Sequence, residues 1–324
     1  MIRELREPRD YPKLIFSLSF LSLIAGLIYA MGIVISLPVS VALLALVFIY
    51  ENPKKRFISY IIPIATLALG FIVNGVYALS YLFVPMLALT LVLSYRFSLT
   101  KAECSFYMTI IGFLALVFAI YSETARLISS FSFSDVTSHL NSTYSVMRDE
   151  IAKFMYESTS STVSGELVRA MSLDDAYAMV DSVADIGVAI LAVLAFIASG
   201  IAIKIFVSTL LNKSKYGILK SFAHFIPSPI AAFAYIATAV LSLFFINKSI
   251  ISLSLANAEV ILMAVFLYVG YNYLKTLDKI SNRRSSLLLF IVVGYLLLGR
   301  IALQVVSIFG VWLVISLFPK FKTK

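Results

Sequence analysis

Few ionisable side chains interrupt the apolar stretches of this sequence, and those few are its first candidates for chemistry. Once an acidic stretch, the basic loops and the two tails are set aside, Glu259 is the one acid left inside an apolar run. Asn257 stands two residues before it, so a helix would point the two side chains to nearly opposite faces. Arg300 follows Gly299, and Gln304 lies one helical turn after Arg300 on the same face. An acid buried in a bilayer is costly and therefore suspect as functional. One reading is a polar cavity in which Glu259 binds a cation or a substrate amine, with Asn257, Arg300 and Gln304 as further ligand-binding candidates. The other is a structural Glu–Arg pair, or a glutamate held protonated.

Two prolines add to this candidate site. Pro63 and Pro85 fall in consecutive apolar runs joined by Asn74-Gly75, a strong turn signal. Each is placed about 16 Å from that turn by the helical rise, near the middle of a bilayer. Matched breaks at that depth free backbone carbonyls for ligands. Ordinary proline kinks are the alternative. Gly26 and Ala30 form a small-xxx-small pair that suits close helix packing, as do Ala195 with Ser199 and Ala198 with Ala202.

Other chemistries find no support. His139 and His224 lie in separate polar stretches, and the single cysteine, Cys104, supplies neither a disulfide nor a cysteine cluster. No zinc-protease, phosphate-loop or Ser/His/Asp pattern is present. No apolar run holds an aspartate away from its ends, which argues against proteolysis by paired aspartates. Catalytic residues, metal ligands and cofactors are therefore expected to be absent, and the chain is read as not an enzyme.

The elements that must position these residues are membrane helices. Hydrophobic residues make up 61% of the 324 and charged residues only 13%, against about 25% charged in soluble domains. Mean hydropathy is +0.98. Such a chain cannot clothe itself in water, whereas helices in lipid satisfy their own backbone. Apolar runs predict helices near 14–35, 38–50, 57–74, 78–95, 104–122, 183–206, 227–246, 250–274, 286–299 and 302–318. The last pair is read as a hairpin turning at Gly299-Arg300, because one helix over 286–318 would run about 50 Å through a core of about 30 Å. The fold class is thus all-α: a polytopic transmembrane helical bundle of about ten spanning segments.

Charge orders these segments. With the N-terminus cytoplasmic, 20 of the 26 lysines and arginines fall on the inner side. That bias obeys the positive-inside rule and puts both termini in the cytoplasm. It also explains the net charge of +9 without nucleic acid. Three parts follow: an N-terminal bundle over 1–122, an acidic extracytoplasmic insertion over 123–182 and a C-terminal bundle over 183–324. Within the insertion, Tyr144, Met147, Ile151, Phe154 and Met155 recur at helical spacing, so Met147, Ile151 and Phe154 are candidates for a partner-binding face. Ser172 with Asp175 reads as a capping box for a helix running on into the span near 183. The Ser/Thr-rich stretch 158–164 reads as loop.

The run LPVSVALLALVFIYENPKKR, followed by FISYIIPIATLALGFIVNGVYALSYLFVPMLALTLVLSYRFSLTKAE, resembles the N-terminal half of the YybS-like membrane proteins. The polar amphipathic stretch, the long helix after it and the loop SFAHFIPSP extend the likeness over about 14–318, while the ending FPKFKTK departs from it. The resemblance implies a multi-pass membrane protein and names no reaction. At the level of fold it is distantly similar to the substrate-capturing components of energy-coupling-factor vitamin transporters. Those dock a membrane partner subunit through an Ala-xxx-Ala pair, at a place comparable to Gly26 and Ala30 here. Two functional classes remain: a small-molecule transporter or membrane-embedded substrate-binding component, and a non-transporting scaffold that binds a partner through its outer insertion. Either is embedded in the lipid bilayer of the cell membrane.

Overall fold

The computed structural model describes residues 11–51, 57–97, 99–162, 172–209, 225–245, 250–280 and 300–321. Among them every regular element is a helix. In chain order these are α1 (Tyr11–Ala30), α2 (Leu37–Tyr50), α3 (Phe57–Asn74), α4 (Phe83–Arg96), α5 (Lys101–Ile128), α6 (Phe133–Thr162), α7 (Leu173–Asp185), α8 (Gly187–Thr209), α9 (Pro229–Phe244), α10 (Ile250–Ile280) and α11 (Arg300–Phe321). Two 3-10 segments, Val34–Ser36 and Gly75–Leu82, lie between them.

Among the described residues, four stretches are long and apolar enough to cross a membrane: Phe57–Arg96, Lys101–Ile128, Gly187–Thr209 and Ile250–Leu274. Their outward faces carry bare Ile72, Phe106, Val188 and Ile250. A surface this apolar needs lipid or protein against it. Residues 286–299 of the expected C-terminal hairpin lie outside the described residues.

The chain divides into two compact units, 1–170 with 194–223 and 171–193 with 224–324. In the first, α2 is the core. Ten of its 14 residues are buried, on all sides, against α1, α4 and their neighbours. A helix apolar all round is a buried one. At about 21 Å it is also shorter than the hydrocarbon layer.

Local chemistry sets the ends. Helix α1 stops at Ala30, short of the expected 35, because Gly32 at φ +100° forms a Schellman cap. Ile33 N–H donates to Ile28 and Gly32 N–H to Tyr29. The Asn74 amide donates to the Ala30 carbonyl at 3.2 Å and satisfies another free end. Asn74-Gly75 does turn the chain: Gly75 takes φ +57°, and Ala78 Cβ comes within 3.2 Å of where a Cβ on Gly70 would stand. Residues eight apart in one straight helix would be about 12 Å apart. The 40 residues of Phe57–Arg96 therefore form two legs.

Pro85 corrects an expectation. It lies in the first turn of α4, after the 3-10 segment, and breaks no helix. It stands just after the chain passes from 3-10 to α geometry. Pro63 does sit inside α3. Three boundaries also move. Helix α5 continues through Glu123 to Ile128, and α6 takes in Ser158–Thr162, which had read as loop. The Ser172–Asp175 capping box opens α7 as expected, but the helix ends at Asp185 and a turn at Ile186 precedes α8.

In the second unit, Ser228 caps α9 with Pro229 at the first helical position. Tyr235 stacks on Phe266 at 5.6 Å, within a core of Ala232, Val269, Val311 and Val314. Helices α10 and α11 meet backbone to backbone. A Cβ on Gly310 would overlap the Phe266 carbonyl oxygen, and one on Gly270 the Val306 carbonyl oxygen.

Candidate functional site

Glu259 lies in α10, 7% exposed, inside an apolar stretch long enough to span. The Ser242 hydroxyl, near the end of α9, donates to one carboxyl oxygen at 3.2 Å. The sequence offered no pairing for Ser242, since its partner is 17 residues away on another helix. Gln304 is half-buried on α11. Arg300 opens α11, but its side chain lies outside the described residues, so an Arg300–Glu259 pair is not on view.

Asn257 has a different task from the one read for it. Its carbonyl oxygen accepts from Ala189 N–H at 2.8 Å, and its amide donates to the Asp185 carbonyl at 2.8 Å and the Leu253 carbonyl at 2.9 Å. Asp185 ends α7, and Ala189 lies in the first turn of α8, where backbone groups lack helical partners. Asn257 therefore holds a helix joint rather than presenting its amide to a cavity.

The small residues close contacts inside the first unit. A Cβ on Gly26 would stand 2.9 Å from Thr66 and from the Tyr81 ring, and Ala30 fills the space over Gly70. The pair Gly26-xxx-Ala30 thus meets Thr66-xxx-Gly70 of α3, and Ala30 is fully buried. A partner docking through this face would have to displace α3. On α8, Ala195 and Ser199 lie over Gly112 of α5. Beside them Leu37, Val41, Leu87 and Met108 border a crevice of about 10 Å³. That is room for no more than about one water molecule.

Glu51 is a buried acid that sequence reading passed over, because ENPKKR looked like a solvated basic turn. It is 4% exposed and seals the start of α3. Its carboxyl oxygens accept from Ile58 N–H at 2.7 Å and Ser59 N–H at 2.8 Å, and also from the Ser59 hydroxyl. A carboxylate there meets the positive end of the helix. The cap reaches across seven residues, beyond the three-residue reach of a capping box, so no local pattern marks it. Glu51→Ala is expected to destabilise the protein by about 2–4 kcal/mol, since it orphans the buried N–H and hydroxyl of Ser59 and the partly buried N–H of Ile58. Glu51→Gln should cost less, because one acceptor survives. Thermal unfolding of both variants in detergent checks the order.

At the far end of α5, Arg126 and Glu123 pair at 2.6 Å, both partly exposed. Tyr121 donates to the Phe131 carbonyl at 2.7 Å and packs among Phe118, Phe131 and Phe133. Such an aromatic cluster is typical of a helix end at a membrane–water boundary. On α6 the predicted partner face is bare: Met147, Ile151 and Phe154 are 52%, 42% and 71% exposed. Among the described residues no group of three or more His, Cys, Asp and Glu is placed to hold a metal ion.

No family model, curated protein or solved structure matches the chain.

Proposed function

We propose that the protein is a multi-pass cell-membrane protein of about ten segments that binds or transports a small molecule bearing an amine or other cationic group. The observation that carries this reading is Glu259, a buried carboxyl inside an apolar stretch with a serine hydroxyl on it. A cation or amine is the guest such a group would hold best. On this reading both termini are cytoplasmic, residues 123–182 are extracytoplasmic, and no catalytic step occurs. The lysine and arginine bias supports the orientation. The YybS-like resemblance is compatible with it. Gln304 and Arg300 remain candidates for the same pocket, and Pro63 for a backbone site in α3. Asn257, bonded to the α7–α8 joint, and Pro85, in the first turn of α4, are not carried into this proposal.

The test is electrogenic uptake or binding in proteoliposomes, using a panel of primary amines with sodium and potassium. Wild type should respond to at least one, and Glu259→Gln should lose that response while keeping its fold. An undiminished response in Glu259→Gln would end the proposal. A scaffold is the second reading, favoured by the bare α6 face. Under it, a stable protein partner co-purifies with the wild type and is lost when Met147, Ile151 and Phe154 are changed to serine.

A further inference from the structure

The first unit carries a feature that neither reading uses. Among the described residues, the buried side-chain oxygens without a hydrogen-bond partner are those of Ser19, Ser22, Tyr29, Tyr77, Ser80 and Tyr81. They are not scattered. Ser19, Ser22, Gly26 and Tyr29 follow one another at spacings of three, four and three, so they share one face of α1. Tyr77, Ser80 and Tyr81 all come from the 3-10 segment Gly75–Leu82 that packs against α1.

The 3-10 geometry explains the convergence. Side chains three apart eclipse in such a helix, so Tyr77 and Ser80 project together. A 3-10 run of eight residues is itself unusual, and one in mid-bundle marks a constrained segment. Ser80 lies beside the hydroxyls of both Tyr29 and Tyr77, and Thr66 beside that of Tyr81, without closing bonds of good geometry. Gly26 makes the room: the Tyr81 hydroxyl rests 3.0 Å from where its Cβ would be. Tyr29, Ser80 and Tyr81 are at most 1% exposed and Tyr77 is 3% exposed. The same 3-10 segment packs against α5, whose last turns carry the partly exposed pair Glu123 and Arg126. The hydroxyls therefore form a track that begins near the surface at Glu123 and descends along α1.

We propose that this track holds a chain of water molecules leading from the Glu123–Arg126 end into the core of the first unit. Its chemistry selects a neutral protic guest. Every one of these unpartnered groups is a neutral hydroxyl, able both to donate and to accept. An ion would be stripped of hydration with no counter-charge to meet it. Water supplies the two to four bonds that such a set of buried hydroxyls lacks.

Hydroxyl-radical footprinting of the full-length protein in nanodiscs tests this, because radiolysis of bound water labels the side chains next to it. Tyr29 and Tyr81 should label at rates like that of exposed Tyr144, while equally buried Phe206 and Phe266 stay unlabelled. Ser80→Val should abolish the labelling of Tyr29 and Tyr77 and leave Tyr144 unchanged. The proposal is overturned if Tyr29 and Tyr81 are as inert as Phe206 in the wild type. It is equally overturned if Phe206 labels as fast as they do, since that would report a loose core. Should Ser80→Val fail to fold, the wild-type comparison decides alone.

Discussion

Gly310→Ala is expected to be among the most damaging single substitutions in the second unit, costing about 3 kcal/mol or more. One methyl group is added, yet it has nowhere to go. Its Cβ would overlap the Phe266 carbonyl oxygen and lie 3.1 Å from the Gly270 amide nitrogen. These are backbone atoms of α10, which cannot rotate aside as a side chain can. The helices must separate, and that loosens Tyr235, Phe266 and Val311 together. Overpacking a well-packed core costs about 1–3 kcal/mol even where side chains can yield. Gly270→Ala should behave alike, because its Cβ would strike the Val306 carbonyl. Gly200 in α8 supplies the control, with nothing within 4 Å of its Cβ position. There alanine should be neutral or stabilising by up to about 1 kcal/mol, through helix propensity alone. Thermal unfolding in detergent of the three variants measures the contrast. Equal effects at Gly200 and Gly310 would refute the close crossing.

What could be read from the sequence follows from how far each interaction reaches. Helix α3 was legible to the residue because a basic turn precedes it and Asn74-Gly75 ends it. The Ser172–Asp175 capping box was legible because it spans three residues. The break at Ile186 was not. Gly187 follows it at once, but a lone glycine opening an apolar run is a weak stop signal, and the groups that stabilise the break come from Asn257, some 70 residues away. The 3-10 segment was missed for a related reason. Its apolar residues have no periodicity that distinguishes it from an α-helix, so Pro85 appeared to fall in mid-helix. Glu51 was set aside because acids beside lysines usually face water, and its true partners begin seven residues on. Glu259 was legible as an anomaly, whereas its contact with Ser242 depends on how two helices pair. Composition thus identifies the solvent and the approximate elements. The polar groups buried between elements are placed by tertiary contacts that no window on the sequence contains.

Those contacts make Asn257 the more informative residue beside Glu259, and they set its expected cost. Asn257→Leu keeps the branching of the side chain and removes three hydrogen bonds at 2.8, 2.8 and 2.9 Å. The Leu253 carbonyl remains within its own helix, so little is lost there. The Asp185 carbonyl and the Ala189 N–H are left without the partner that joins α7 to α8. A fully buried orphan costs about 1–3 kcal/mol and these two are partly buried, so a loss of about 2–4 kcal/mol is expected. Asn257→Asp separates the two halves of the joint. An aspartate still accepts from Ala189 but cannot donate to Asp185, and it sets carboxylate against carbonyl. Its loss should fall on the Asp185 side while the Ala189 amide stays protected. Hydrogen exchange read at Ala189 distinguishes the variants: fast in Asn257→Leu, slow in Asn257→Asp. If Asn257 instead served a ligand, both substitutions would lower binding and leave that amide and the unfolding midpoint unchanged. Glu259→Gln, two residues along the same helix, carries the opposite expectation, with binding lost and the Ala189 amide undisturbed. The pair of measurements therefore separates a residue that holds the fold from one that faces a guest.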